Sequence, residues 1–306
     1  MRSKSNSNPI VVVGSIAMDS VKTAYGEVDN ALGGSATYFT LVSKLFTPIQ
    51  VVGVIGEDFP KQYLSLLKNN CVDLEGVVKA PGKTFRWKGF YDNPNEAITL
   101  DTQLNVFERF SPHLPSSYRK SSYIFLANIH PLLQEKVLSQ IKKNAFVACD
   151  TMNHWIGSNR KELLNLYRRV KVAFLNEGEA KLLTGESHVV KAVKQIHELG
   201  PQWVIVKKGE HGVLAYDGKE FIVQPAYPVE DVVDPTGAGD SFAGGFMGYI
   251  ASQGNFSRST ILKALAYGTI MASFAVEDFS VHRILKVNKK MINDRLSRYL
   301  KIIGRI

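Results

Sequence analysis

Residues 234–245 read Asp-Pro-Thr-Gly-Ala-Gly-Asp-Ser-Phe-Ala-Gly-Gly. Gly237 and Gly239 let backbone N–H groups converge, and the helix that follows turns its positive end toward the same point. An anion is therefore favoured there. Asp240, however, puts a negative charge at the mouth of that helix. A carboxylate belongs beside a phosphate site when a second ligand must lose a proton. An acceptor hydroxyl attacking the phosphate is such a ligand. Asp240 can take its proton as general base while the amides of Ala238, Gly239 and Asp240 stabilise the charge on the transferring group.

Two other readings of the stretch exist. Gly237, Gly239 and Ala243 also fit G-x-G-x-x-x-A, a dinucleotide fingerprint that would imply hydride transfer. That motif needs a strand before it and an acid about 20 residues later. Pro235 interrupts the approach, and residues 261–276 and 288–303 carry helical patterns. Asp240 could also be a plain helix cap. Against this, glycines at 237, 239, 244 and 245 are costly at a helix start unless backbone must approach something closely. The pattern G-x-x-x-x-G-K-[ST] is absent.

The elements that must position this stretch alternate along the chain. Apolar, β-branched runs at 10–14, 51–56, 123–128, 146–150, 172–176 and 203–209 predict strands buried on both faces. Helical patterns lie between them at 35–46, 60–70, 133–143, 159–169, 178–184 and 189–199. Repeated strand–helix–strand implies a parallel sheet covered on both sides, with ligands bound beyond the carboxyl ends of its strands. Segments 18–28 and 83–103 break the rhythm; they are polar, aromatic and β-prone, and predict a small antiparallel excursion acting as a lid. The expectation is one α/β domain over 1–306, with lid segments at about 16–28 and 83–103.

Bulk properties narrow the function. The net charge is +9, and residues 286–305 hold seven basic residues and one acid. Ile292, Leu296, Tyr299 and Ile303 recur at helical spacing there, so the tail predicts a docked amphipathic helix with a solvated basic face. Aromatics do not interleave with the charges, which argues against nucleic acid. No apolar run suits a membrane span, and the start of the chain reads as a lead-in to a strand and not a signal peptide. Cys71 and Cys149 alone cannot build a zinc site and suit a reducing cytoplasm. His130 and His154 lack a third nearby ligand.

Five stretches together resemble the PfkB/ribokinase family of carbohydrate and nucleoside kinases. "DPTGAGDSFAGGF" (234–246) resembles its signature, D-[TP]-T-G-A-G-D, and "LGGSATYF" (32–39) its glycine pair opening a helix. "GVIGEDFPKQYLSLLKNNCVDLEGV" (53–77) is similar to the family's run into a Gly-Val-Asp turn, with Cys71 in place of the glycine. "NEGEAKLLTG" (176–185) resembles its N-x-x-E element, and "VKKGEHGVLAY" (206–216) its nucleotide-side strand pair. The likeness spans about residues 10–280 in the expected order.

The resemblance implies a ribokinase-like three-layer α/β/α fold with a mostly parallel central sheet and a small β lid. It implies an ATP- and Mg2+-dependent transfer to a hydroxyl of a sugar or sugar-like molecule, or of a nucleoside. Asp240 would be the base, with Gly237, Ala238 and Gly239 forming the anion hole. Asp19, Gly33, Gly34 and Asn128 would meet the acceptor, and Tyr38 stands where the sugar kinases carry an asparagine that contacts sugar hydroxyls. Asn176 and Glu179 would reach Mg2+ through water. Lys207, Gly209, Gly212 and Thr236 would lie on the nucleotide side, and Asp234 with Thr236 would hold a monovalent cation such as K+. Asp150 and Asn153 also end strands facing the crevice. The lid aromatics Phe85, Trp87, Phe90 and Tyr91 could stack on substrate, pack lid to body, or join two copies as a homodimer.

Overall fold

A computed structural model describes residues 8–70 and 72–304; the lead-in before residue 8, Cys71 and Arg305 lie outside them. The strands are β1 (Ile10–Val13), β2 (Ala17–Thr23), β3 (Gly26–Gly33), β4 (Ile49–Ile55), β5 (Val72–Lys79), β6 (Arg86–Asn93), β7 (Glu96–Gln103), β8 (Tyr123–Leu126), β9 (Phe146–Cys149), β10 (Val172–Asn176), β11 (Trp203–Lys207), β12 (Val213–Tyr216) and β13 (Phe221–Gln224). The helices are α1 (Ser35–Ser43), α2 (Lys61–Asn69), α3 (Pro131–Leu138), α4 (Asn153–Ser158), α5 (Arg160–Tyr167), α6 (Glu177–Thr184), α7 (Val189–Glu198), α8 (Ala238–Gln253), α9 (Arg258–Ala275), α10 (His282–Lys286) and α11 (Lys289–Ile302).

Nine strands form the large sheet in the order β13-β12-β11-β10-β9-β8-β1-β4-β5. From β11 to β5 every pair is parallel, and β12 and β13 close one edge antiparallel. Alternation along the strands divides the core. Ile10 and Val12 join Phe125 and Phe174 beneath α1, α8 and α9. Val11 and Val13 join Ile124 and Leu126 on the other face, under α3, α5, α6 and α7. The result is the three-layer α/β/α arrangement. No strand follows β13 among the described residues, so the segment at 237–243 does not open a βαβ unit, as a dinucleotide fingerprint requires.

The small sheet has the order β3-β2-β6-β7. It corrects two expectations. Its first arm runs on to Gly33, and β2 pairs with β6 in parallel, so the sheet is not purely antiparallel. The reason is connectivity: β6 arrives by a crossover through β4, α2 and β5, and a crossover delivers a parallel neighbour where a hairpin would deliver an antiparallel one.

Side chains tie the small sheet to the loop before α8. Thr23 Oγ1 donates to the Val233 carbonyl at 2.8 Å, Tyr25 Oη to Asp231 at 3.0 Å, and Thr236 Oγ1 to Tyr91 Oη at 3.3 Å. Phe85 stacks on Phe107 of the body at 5.3 Å between ring centroids. The outer strand β7, by contrast, is exposed along its whole length. The tail docks as expected, burying Ile292 and Tyr299 of α11. One of its basic residues is not solvated: Arg295 lies 3.5 Å from the Phe274 ring centroid and pairs with Glu277 at 2.6 Å.

A sheet tethered at its base and bare along its rim should move, and closing it over bound substrates would exclude water. Amide exchange across 86–103 is expected to be fast in the empty protein and to slow with acceptor and nucleotide together. Full protection without ligand would instead make the sheet a fixed wall.

Candidate active site

The approach to α8 is a pinned loop. Asp234, buried, accepts the Thr236 N–H on one carboxylate oxygen and the Ser280 N–H on the other, both at 2.9 Å. Gly237 then turns left-handed, at φ 74° and ψ 3°, and the helix begins. The Ala238 N–H donates to the Pro235 carbonyl at 3.2 Å, so that amide closes the turn. The anion hole expected from three amides is thus left to those of Gly239 and Asp240.

Lys207, the last residue of β11, reaches this point from the large sheet. A Cβ placed on Gly239 would fall 3.0 Å from Lys207 Nζ. The same ammonium pairs with Asp150 Oδ2 at 2.6 Å, while Asp150 Oδ1 accepts the Thr151 N–H at 3.0 Å. The resemblance placed Lys207 on the nucleotide side; it also stands over the start of α8, held by the acid that follows β9. Nothing in the spacing of residues 150 and 207 signals that pairing, because β9 and β11 meet it only through the sheet order.

Asn176 and Glu179 form a reciprocal capping box at the start of α6. Asn176 Oδ1 accepts the Glu179 N–H, and Glu179 Oε2 accepts the Asn176 N–H, each at 2.7 Å. The cap and the cation role are therefore compatible readings of the same residues. Burial pushes the Glu179 carboxyl up to about 7, with Lys207 opposing and Asp150 reinforcing the shift.

In the small sheet Asp19, buried on β2, accepts the Gly34 N–H at 3.2 Å. A Cβ on Gly33 would fall 1.9 Å from Asp19 Oδ2, so only glycine lets the carboxylate occupy this place. Burial raises the Asp19 carboxyl to about 7, and Asp234 raises it further while the Gly34 N–H opposes. Tyr38, buried on α1, lies with its ring against Gly237, where a Cβ would meet Cγ at 2.3 Å. The structure thus brings Asp19, Tyr38 and Asp240 together, and adds Tyr91, a lid aromatic without a motif around it.

Burial and the neighbouring Asp150 push the Asp240 carboxyl well above the ordinary range, Lys207 only partly offsetting them.

Other candidates sit further off. Asn128 Oδ1 accepts the Trp155 Nε1–H at 2.9 Å, and His130 Nδ1 accepts the Leu132 N–H at 3.1 Å. Gly209 and Gly212 turn the chain from β11 to β12, and the Asn95 side chain of the small sheet lies against Gly209. Among the described residues no three of His, Cys, Asp or Glu group as a metal cluster, and no helix is long and apolar enough to cross a membrane.

Raised carboxyls fix a sign. Asp19 and Glu179 hold protons in the folded chain up to about pH 7 but lose them near 4 when unfolded. Between those values the native state binds more protons, so the stability of the empty protein should fall as pH rises from about 4.5 to 7. Urea midpoints measured across that window test this, and a rising midpoint would refute it.

Comparison with known proteins follows the same lines. Residues 7–286 match the pfkB family of carbohydrate kinases. Cytidine kinase of Thermococcus kodakarensis is 33% identical over 244 residues, covering 78% of this chain and 87% of that one. The nucleoside kinase of Methanocaldococcus jannaschii superposes with a TM-score of 0.75 at 22% identity, covering 95% and 98% of the two chains. An E. coli protein described as a ribokinase II, in complex with ATP and Mg2+, gives a TM-score of 0.79 at 21% identity, covering 95% and 99%. The chain belongs to the PfkB family of carbohydrate kinases, and is a phosphotransferase acting on a hydroxyl of a sugar or nucleoside.

Proposed function

We propose that the acceptor is a nucleoside, cytidine being the first candidate, and that ATP with Mg2+ supplies the phosphoryl group. The observation that carries this reading is that Tyr38, whose ring lies against Gly237 at the start of α8, also neighbours Asp19, so that Asp19 and Asp240 lie close enough for the charge of one to raise the carboxyl of the other. An acceptor whose vicinal hydroxyls rest on Asp19 has its primary hydroxyl free to reach Asp240. The similarity to a cytidine kinase supports a nucleoside over a free sugar.

Each residue then has a task. Asp19 accepts two hydrogen bonds from the diol, an arrangement that is both strong and geometrically selective. Gly33 and Gly34 let backbone approach the acceptor, and Asn128 and Tyr38 belong to the acceptor side. Asp240 takes the proton of the attacking hydroxyl, while the amides of Gly239 and Asp240 receive the charge on the transferring group. Lys207, Gly209, Gly212 and Thr236 belong to the nucleotide. Asn176 and Glu179 fit Mg2+ as oxygen donors, and a buried carboxyl such as Glu179 is one that a cation would hold ionised. Magnesium there supplies positive charge to the phosphates. Asp234 and Thr236 are the residues for a monovalent cation such as K+. A second copy would cover the exposed Ile98 and Leu100 of β7, and the cytoplasm, where ATP is consumed, is the compartment for this work.

Two experiments test the assignment. ADP release measured over cytidine, other nucleosides, ribose and fructose should be fastest with cytidine. Asp19→Ala should weaken the acceptor about ten- to a hundredfold while leaving ATP affinity nearly intact, since paired hydroxyls are worth about 1–3 kcal/mol each when buried. Equal loss of both substrates would make Asp19 structural.

A third experiment concerns the base. Asp240 must be ionised to accept a proton, and its raised pKa means that kcat/KM should climb with pH toward neutrality. Asp240→Asn should lower turnover by roughly 10²–10⁴-fold and abolish that climb. Near-normal turnover in the asparagine variant would reduce this carboxylate to a helix cap.

A further inference from the structure

Ser280 is buried, and its backbone is left-handed at φ 55°, a conformation that favours glycine. Such strain persists only where the surroundings hold it. At the head of the turn the Val276 carbonyl accepts the N–H of Val233 at 2.8 Å and that of Asp234 at 3.3 Å. The next residue, Glu277, is clamped by two guanidinium groups, Arg283 at 2.7 Å and Arg295 of α11 at 2.6 Å. Arg295 is itself held, 3.5 Å from the Phe274 ring centroid and 4.9 Å from that of Tyr227.

Ser280 bonds in two directions. Its N–H donates to Asp234 Oδ2 at 2.9 Å, in the loop that carries the anion turn. Its hydroxyl donates to the Leu32 carbonyl at 2.6 Å, in the small sheet. β3 is an edge strand of that sheet, so one of its sides has no strand partner. The 277–280 turn meets this strand at both ends. A Cβ on Gly26 would fall 3.8 Å from the Phe279 ring, and Ser280 bonds Leu32 one residue before the strand stops.

The Leu32 carbonyl belongs to the peptide that leads into Gly33. A peptide is planar, so fixing that oxygen also fixes the N–H and Cα of Gly33. Gly33 is the residue whose missing Cβ admits Asp19, and Gly34 supplies the N–H that Asp19 accepts. One serine thus ties the backbone around Asp19 to the acid that pins the turn before α8.

We propose that Ser280 is a positioning residue, its hydroxyl holding the Leu32–Gly33 peptide, and through it Asp19, in place relative to the anion turn. The proposal rests on the reading of Asp19 as the carboxylate that meets the acceptor, and goes beyond it. Glycine would adopt this backbone without strain, but it has no hydroxyl to reach Leu32. The serine accepts the strain and bonds both sides at once.

Ser280→Gly keeps the left-handed turn and the N–H on Asp234, and removes only the hydroxyl. In steady-state kinetics of the full chain with cytidine, kcat/KM for the acceptor should fall about tenfold, chiefly through KM, since small misplacements are costly. The KM for ATP should stay within about twofold, because the bond to Asp234 remains. The melting temperature without ligand should change little, relief of strain offsetting the lost bond. Ser280→Ala loses the same hydroxyl and keeps the strain, so it should show the same rise in acceptor KM at a lower melting temperature. An unchanged acceptor KM in both variants, or equal rises for acceptor and ATP, would overturn the proposal. A rise in the alanine variant alone would overturn it too, by assigning the effect to strain. Asp19→Ala measured in parallel separates the two readings: acceptor loss there, with an unchanged KM in Ser280→Gly, keeps Asp19 on the acceptor and refutes only the positioning. Where cytidine is not turned over, the nucleoside reading fails, and ribose or fructose takes its place in the same comparison. Amide exchange tests the bond without any acceptor. Ser280→Gly should speed exchange across 31–34 and leave 234–241 as it was, and unchanged exchange at 31–34 would refute the role of the hydroxyl.

Discussion

Crowding of like charge governs this molecule. Asp19, Asp150, Glu179, Asp234 and Asp240 lie close enough to act on one another, and Lys207 offsets Asp150, Glu179 and Asp240 among them. Carboxylates drawn out of water resist ionisation, and their mutual repulsion adds to the effect. The fold tolerates them by different means. Asp234 accepts two backbone N–H groups, Glu179 is engaged in a cap, and Asp150 holds Lys207. Asp19 has a single backbone donor at 3.2 Å, and Asp240 relies on the start of its helix. The two acids left least satisfied by protein are those proposed to meet the acceptor.

That division depends on backbone coming very close to side chains. Asp19 fits only because Gly33 presents no Cβ to it, and Tyr38 covers the anion turn only because Gly237 presents none. Lys207 can stand over the start of α8 because residue 239 is likewise bare. Each glycine removes a methyl group's worth of separation between a charged or polar tip and the main chain. Their conformational cost is offset by the electrostatic contacts that the shorter distance allows.

The sheet and its site were readable to different degrees. Buried parallel strands announce themselves as unbroken β-branched runs, so "IVVV" and "VAFLN" could be placed from residue type alone. β3 was hidden because "GEVDNALG" is polar for most of its length, and β5 because its burial changes along the strand. The signature at 234–246 carried the reaction type and singled out Asp240, the proposed base. What no local pattern carried was convergence across the sheet: the Lys207–Asp150 pair, the N–H of Ser280 on Asp234, and Tyr91 over Thr236. These join residues separated by 46 to 145 positions, and only strand order brings them together.

A negative charge beside an anion site is therefore less of a contradiction than it looks. In the empty protein the Asp240 carboxyl is pushed toward its neutral form, so the helix start does not confront an anion with an anion. Positive charge brought by a metal-bound nucleotide would add to that of Lys207, already in place, and would favour ionisation of Asp240. If Asp240 is the base, as proposed, it would be armed by the arrival of the group it serves. An acid with an ordinary pKa at this position would repel the phosphate before any hydroxyl had arrived, whereas one raised by burial would not.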